Sequence, residues 1–135
     1  LFPYLSKVAA GEFPYLEIYG DDYNTDDGTG VRDYIHVLDV ADGHLAALKH
    51  IGNSNRGFDL INLGSGHGSS VFEIIKTFER VNNVTIDFKI VARRKGDVAS
   101  CYADTSKASR LLNWSATRNL EEMCSSACKF VIRNK

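Results

Sequence analysis

Apolar residues along this chain fall first at helical spacing, then in alternation, then in short runs, and the order of those patterns predicts the elements. Leu5, Val8 and Ala9 mark a short helix that Gly11 and Pro14 end. Residues 15–19 form a brief β-type run closed by Gly20, and residues 21–30, DDYNTDDGTG, are polar and rich in turn formers. Residues 34–37 are strand-like. Asp39 can cap a helix carrying Ala41, Leu45 and Leu48 at i, i+4 and i+7, ending near Gly52. Residues 58–63, FDLINL, are a short apolar run between turn residues and predict a buried strand that leads into GSGHGSS and a further helix.

That next helix carries the strongest local signal. Ser70 and Glu73 form an S-x-x-E capping box, while Val71, Ile74, Ile75 and Phe78 line one face. Residues 84–91 alternate cleanly at Ile86, Phe88 and Ile90 and predict a strand, and RRKGD at 93–97 predicts a turn. Thr105 or Ser106 can cap a short helix containing Leu111 and Leu112. Asn119 with Glu122 caps a last helix striped by Leu120, Met123, Cys124, Ala127 and Val131. The expected class is mixed α/β, without an internal repeat or a low-complexity tract.

Composition narrows the classes of function. A chain of 135 residues with 44% hydrophobic content supports one compact core, so a single domain over residues 1–135 is expected. The balance of 16 Lys+Arg against 17 Asp+Glu leaves no basic surplus to attract nucleic acid, and no long apolar run suggests a membrane span. Three cysteines, Cys101, Cys124 and Cys128, lack a C-x-x-C pair, which fits reduced thiols in a cytoplasmic protein. The chain opens at Leu1 and reads like the middle of something larger, so a fragment is expected.

Arg32 and Arg94 both stand in glycine-containing loops, the first preceded by GTGV and the second followed by KGD. A planar, permanently charged fork suits bidentate phosphate binding, and a diphosphate can accept from two such groups at once. Asp97, just past Gly96, suits a ribose hydroxyl. The segment LINLGSGHGSS has a strand, G-x-G, helix layout like a dinucleotide fingerprint, yet Ser69 holds the third glycine position and Asp87 lies inside the next strand. It is better taken as a tight strand-to-helix turn whose amide-rich helix end borders a ligand. No catalytic centre assembles: there is no Tyr-x-x-x-Lys, and the four histidines have no metal-ligand spacing. Neither a G-x-S-x-G elbow nor a Walker loop is present.

The stretch IYGDDYNTDDGTGVRDYIHVLDVADGHLAAL, followed by NLGSGHGSSVFEII, ARRKGDVASCYADTSKA and LNW, closely resembles the C-terminal part of the UDP-glucose 4-epimerases, within the extended short-chain dehydrogenase/reductase superfamily. The resemblance covers essentially the whole chain. It implies that Arg32 and Arg94 hold the UDP diphosphate, that Asp97 meets the uridine ribose, that Glu17, Ile18 and Tyr19 line the uracil largely through backbone, and that Val71 packs nearby. Cys101 would border the sugar, where a small residue leaves room for an N-acetyl group. The implied activity is interconversion of UDP-galactose and UDP-glucose through a 4-keto intermediate, extending to the UDP-N-acetylhexosamines. Bound NAD and the catalytic tyrosine and lysine would lie in a missing N-terminal Rossmann part, and the full-length enzyme would be a homodimer. The alternatives are another UDP-sugar-modifying reductase, such as a dehydratase or decarboxylase, and a non-catalytic nucleotide-sugar binding module.

Overall fold

The computed structural model describes residues 1–52 and 58–133. In chain order the elements are α1 (Phe2–Ala9), β1 (Leu16–Tyr19), β2 (Val31–Asp33), α2 (Val37–Gly52), β3 (Gly68–Ser70), α3 (Val71–Asn82), β4 (Phe88–Val91), β5 (Ser100–Cys101), α4 (Ser106–Leu112) and α5 (Leu120–Arg133). The class is α/β, as the patterning predicts. Strands β1 and β4 pair in parallel from Leu16 against Phe88 to Tyr19 against Val91. In the second sheet β2 is central, antiparallel to β3 and parallel to β5.

The core lies where α1, α3 and α5 meet the inner face of β1. Alternation puts Leu16 and Ile18 inside with Leu5, Ile74, Ile75, Phe78, Ile86, Cys124 and Cys128. Phe78 and Ile74 are fully enclosed, and burial of each stabilises the fold by about 1.5–3 kcal/mol. Helix α3 starts as its sequence dictates: Ser70 Oγ accepts from the Glu73 N–H at 3.0 Å, and the Glu73 carboxylate accepts from the Ser70 N–H at 3.3 Å. Asn119 and Glu122 make the same reciprocal cap on α5, at 3.0 and 2.9 Å.

Several expectations require correction. The strand expected at residues 34–37 instead occupies Val31–Asp33, and Val37 already opens α2. His36, not Asp39, supplies the cap, because its Nδ1 accepts from the Leu38 N–H at 3.1 Å. Asp39 points inward from the first turn of α2, while Leu45 and Leu48 of the apolar stripe remain exposed. Residues 58–63 form no strand: Phe58 and Leu60 are exposed, and the Leu60 carbonyl accepts from Lys107 Nζ at 2.7 Å. An apolar run becomes a strand only where a neighbour offers pairing. The strand expected over 84–91 is limited to its last four residues, since the Ile86 N–H is taken by the Glu79 carboxylate at 2.8 Å.

Candidate functional site

Because β1 alternates, the face opposite its core residues turns Glu17 and Tyr19 toward a cavity of about 530 Å³. That volume lies within the range of small-molecule sites. Glu17, Ile18, Tyr19, Arg32, Val71, Arg94 and Asp97 all line it, so the fold brings together residues up to eighty positions apart in the chain. Cys101 does not line it; it is exposed on β5, registered directly against Arg32.

Arg32 is held by the sheet it belongs to. Its Nη1 donates to the carbonyls of Val31 at 2.8 Å and Ala99 at 3.5 Å, which leaves Nη2 3.8 Å from the Asp97 carboxylate. The next residue, Asp33, fastens the strand on its other side. Its carboxylate accepts from the Ser65 N–H at 2.8 Å, the Ser65 hydroxyl at 2.6 Å, the Gly66 N–H at 3.1 Å and the Ala103 N–H at 3.1 Å. Burial by itself would push this carboxyl upward, but the hydrogen bonds outweigh it and hold Asp33 below the usual carboxylate range. A Cβ at Gly64 would come within 2.5 Å of Asp33 Oδ2, so only glycine permits this closeness.

Arg94 approaches from the turn that follows β4. The Asp97 N–H donates to the Arg94 carbonyl at 3.3 Å, closing the turn and facing both side chains to the same cavity. Arg94 Nε lies 3.1 Å from Asp97 Oδ2, and the guanidinium sits 4.4 Å above the Tyr19 ring. The neighbouring Arg93 is committed elsewhere: it pairs with Asp22 at 2.6 Å and stacks on Tyr23 at 4.0 Å, tying β4 to the polar loop 21–30. Tyr19 donates its hydroxyl to Glu17 at 2.8 Å; that bond, with the charge of Glu17, raises the phenol above its ordinary value and keeps it protonated.

The start of α3 reaches the cavity through the Val71 side chain, yet the amides of Val71 and Glu73 are already engaged. The Val71 N–H donates to Thr29 Oγ1 at 3.1 Å and the Glu73 N–H to Ser70. The helix end is therefore a wall, and the arginine side chains that line the cavity are Arg32 and Arg94. The same logic applies to the turn at 64–68. The Ser65 and Gly66 amides both point at the carboxylate of Asp33, so the G-x-G turn holds an internal anion where a dinucleotide phosphate would need to sit. These residues do not fit NAD.

The sequence gives no direct sign of Tyr4, Phe13, Tyr15 or Tyr34, which complete the cavity walls. The aromatic cluster at residues 13–19 is a signal that could have found Phe13 and Tyr15. Burial pushes the Tyr34 phenol up, against the opposing pull of Arg32 and Arg94. Cys124 and Cys128 are buried packing residues, and burial pushes the Cys124 thiol up to about 11. Among the described residues no cluster is suited to a metal ion, and no helix is long and apolar enough to cross a membrane.

Comparison with known proteins places this geometry among relatives. The family described as GDP-mannose 4,6 dehydratase matches residues 1–127. UDP-glucose 4-epimerase of Haemophilus influenzae is 54% identical over 123 residues, covering 91% of this chain and 36% of that protein. The Bacillus subtilis UDP-glucose 4-epimerase is 48% identical over 134 residues, covering 99% of this chain and 39% of its own length. The chain thus spans well under half the length of these relatives. Among solved structures, the UDP-glucose 4-epimerase of Bifidobacterium longum in complex with NAD+ and UDP superposes with a TM-score of 0.94 at 48% identity, covering 99% of this chain and 39% of that one. The fold is the one expected for the C-terminal part of an extended short-chain reductase.

Proposed function

Because the chain belongs to the GDP-mannose 4,6 dehydratase family, we propose that it supplies the UDP-sugar anchor of a UDP-glucose 4-epimerase, an isomerase that interconverts UDP-galactose and UDP-glucose. The observation that carries this is the convergence of Arg32 and Arg94 on one cavity whose floor is the Glu17, Ile18, Tyr19 edge of β1. Two guanidinium forks match a diphosphate, the backbone and ring of β1 offer a flat slot for a uracil, and Asp97 can accept from a ribose hydroxyl. Val71 closes the slot from the side. The naming of close relatives as UDP-glucose 4-epimerases favours this over a dehydratase, a decarboxylase or a binding module without chemistry.

NAD is the cofactor seen in solved relatives, and when bound it supplies hydride exchange with the sugar. We assign its binding, and the catalytic groups, to residues outside this chain, since the turn at 64–68 is filled by Asp33. The task of the residues described here is strong retention of the non-reacting UDP moiety, so that a loosely held sugar can present either face without leaving. The same proposal includes the acetylated pair, UDP-N-acetylglucosamine and UDP-N-acetylgalactosamine, with Cys101 as the small residue beside the sugar, a cytoplasmic location, and a homodimeric intact enzyme.

The test is titration calorimetry of the intact protein with UDP. Arg94→Ala should weaken binding by about 2–5 kcal/mol, and Arg94→Lys should recover only part, because lysine keeps the charge and loses the fork. Equal affinities for wild type and Arg94→Ala would remove Arg94 from the site.

A further inference from the structure

The charges facing the cavity nearly cancel before any ligand arrives. Arg32 and Arg94 provide the positive side; Glu17 and Asp97 provide the negative side, and Glu17 is already engaged by the Tyr19 hydroxyl. Asp97 stands between the two guanidinium groups, with Oδ1 3.8 Å from Arg32 Nη2 and Oδ2 3.1 Å from Arg94 Nε. Among the described residues that line the cavity, neither arginine has an equally good second carboxylate at hand. Arg32 is fixed by two carbonyls, and Arg94 by the Tyr19 ring. An incoming phosphate must therefore share these same guanidinium edges with a fixed carboxylate.

We propose that Asp97 is a specificity-determining residue that selects against bare polyphosphates, its carboxylate bridging Arg32 and Arg94 so that only a ligand bringing its own hydroxyl donors is accepted without penalty. The inference rests on the UDP-sugar reading above. A phosphate anion drawn to the arginines meets like-charge repulsion from Asp97 at close range, where partial burial limits screening. A nucleoside diphosphate compensates that repulsion, because ribose hydroxyls can donate to the carboxylate once the arginines turn to the diphosphate. Inorganic pyrophosphate carries the same charged group and no donor to offer in return. The built-in anion thus converts a general phosphate site into one that requires the nucleoside.

The experiment measures dissociation constants of the intact protein for inorganic pyrophosphate and for UDP, in wild type, Asp97→Asn and Asp97→Ala, with circular dichroism to verify folding. Asp97 lies on a surface turn and its side chain is partly exposed, so two variants of different size protect against a folding artefact. Removal of the charge should tighten pyrophosphate by about tenfold or more, while UDP tightens less or weakens. The UDP-to-pyrophosphate selectivity then falls. The inference is overturned if pyrophosphate binding by Asp97→Asn and Asp97→Ala is unchanged, weaker or undetectable, or if both ligands tighten by the same factor. Should wild type fail to bind UDP, the UDP-sugar reading fails and the selection of a nucleoside by Asp97 fails with it, even where the variants gain pyrophosphate. If UDP binds and the variants gain nothing for pyrophosphate, the UDP-sugar reading stands and the role of Asp97 fails.

Discussion

Cys101 lies outside the cavity lining, exposed on β5 and paired in register with Arg32, which does line the cavity. In the parallel pairing of β2 with β5, a larger side chain at 101 would extend over the region beside Arg32 instead of into the core. Volume here can change without disturbing packing. We expect Cys101→Tyr in the intact enzyme to suppress turnover of the UDP-N-acetylhexosamines through steric exclusion while sparing UDP-galactose. The readout is kcat/KM for both pairs of sugars in both proteins. A wild type inactive on the acetylated sugars, or a variant equally impaired on both pairs, would remove residue 101 from the sugar pocket. Much of the site is legible at this scale, since Arg32, Arg94 and Asp97 each announce themselves as charged residues beside glycines. What cannot be read is their mutual geometry: that Asp97 lies between both arginines depends on a turn closing at 94–97 and on a strand 65 positions away, which no local pattern encodes.

At the scale of elements, the reciprocal capping boxes and the buried face of α3 are legible, whereas the cap and the buried face of α2 are not. The Ser70–Glu73 and Asn119–Glu122 boxes form as written, because both partners lie within four residues of each other. Helix α2 shows the limit. Its apolar stripe predicts an inward face through Leu45 and Leu48, yet the inward residues are Gly43 and Asp39, whose carboxylate accepts from the Arg118 and Thr117 N–H groups at 3.0 and 3.3 Å and pairs with Arg118 Nη1 at 2.5 Å. Tertiary hydrogen bonds to residues about eighty positions later decide that orientation. For Asp39, as for Asp33, burial pushes the carboxyl up while hydrogen bonds from partners more than offset it, leaving both below their ordinary value. A folded pKa lower than the unfolded one contributes stability that is present above about pH 4 and is lost as pH falls through the folded value. Acidification below about pH 4 should therefore loosen the first turn of α2 from residues 117–118, which lead into α5, and release the 64–66 turn from β2. The check is the urea midpoint of the intact protein at neutral and acidic pH in wild type and Asp39→Asn. The variant should start lower at neutral pH and lose less on acidification; an identical loss in both would remove Asp39 from the acid response.

Over the whole molecule, the well-packed core and the uncovered surface are segregated. Leu5, Ile74, Phe78 and Cys124 are sealed around α1, α3 and α5, whereas Val37, Leu38, Leu45, Leu48 and Ile51 of α2 are more than half exposed, as are Phe58 and Leu60 of the adjoining apolar run. Scattered exposed leucines are ordinary, but an aligned stripe beside an extended apolar segment is a contiguous surface of the kind that soluble chains cover. Water contact along it forfeits roughly 25 cal/mol for every Å² of apolar area left unburied. The 135-residue chain by itself should consequently bind the dye 1-anilinonaphthalene-8-sulfonate, self-associate with rising concentration, and melt without a sharp transition. Replacing Leu45 and Leu48 together by glutamine should reduce dye binding and association with helix content retained, since these side chains have little packing to lose and glutamine is a good helix former. A monomer of the unaltered chain that melts cooperatively and leaves the dye dark would show that this face needs no cover.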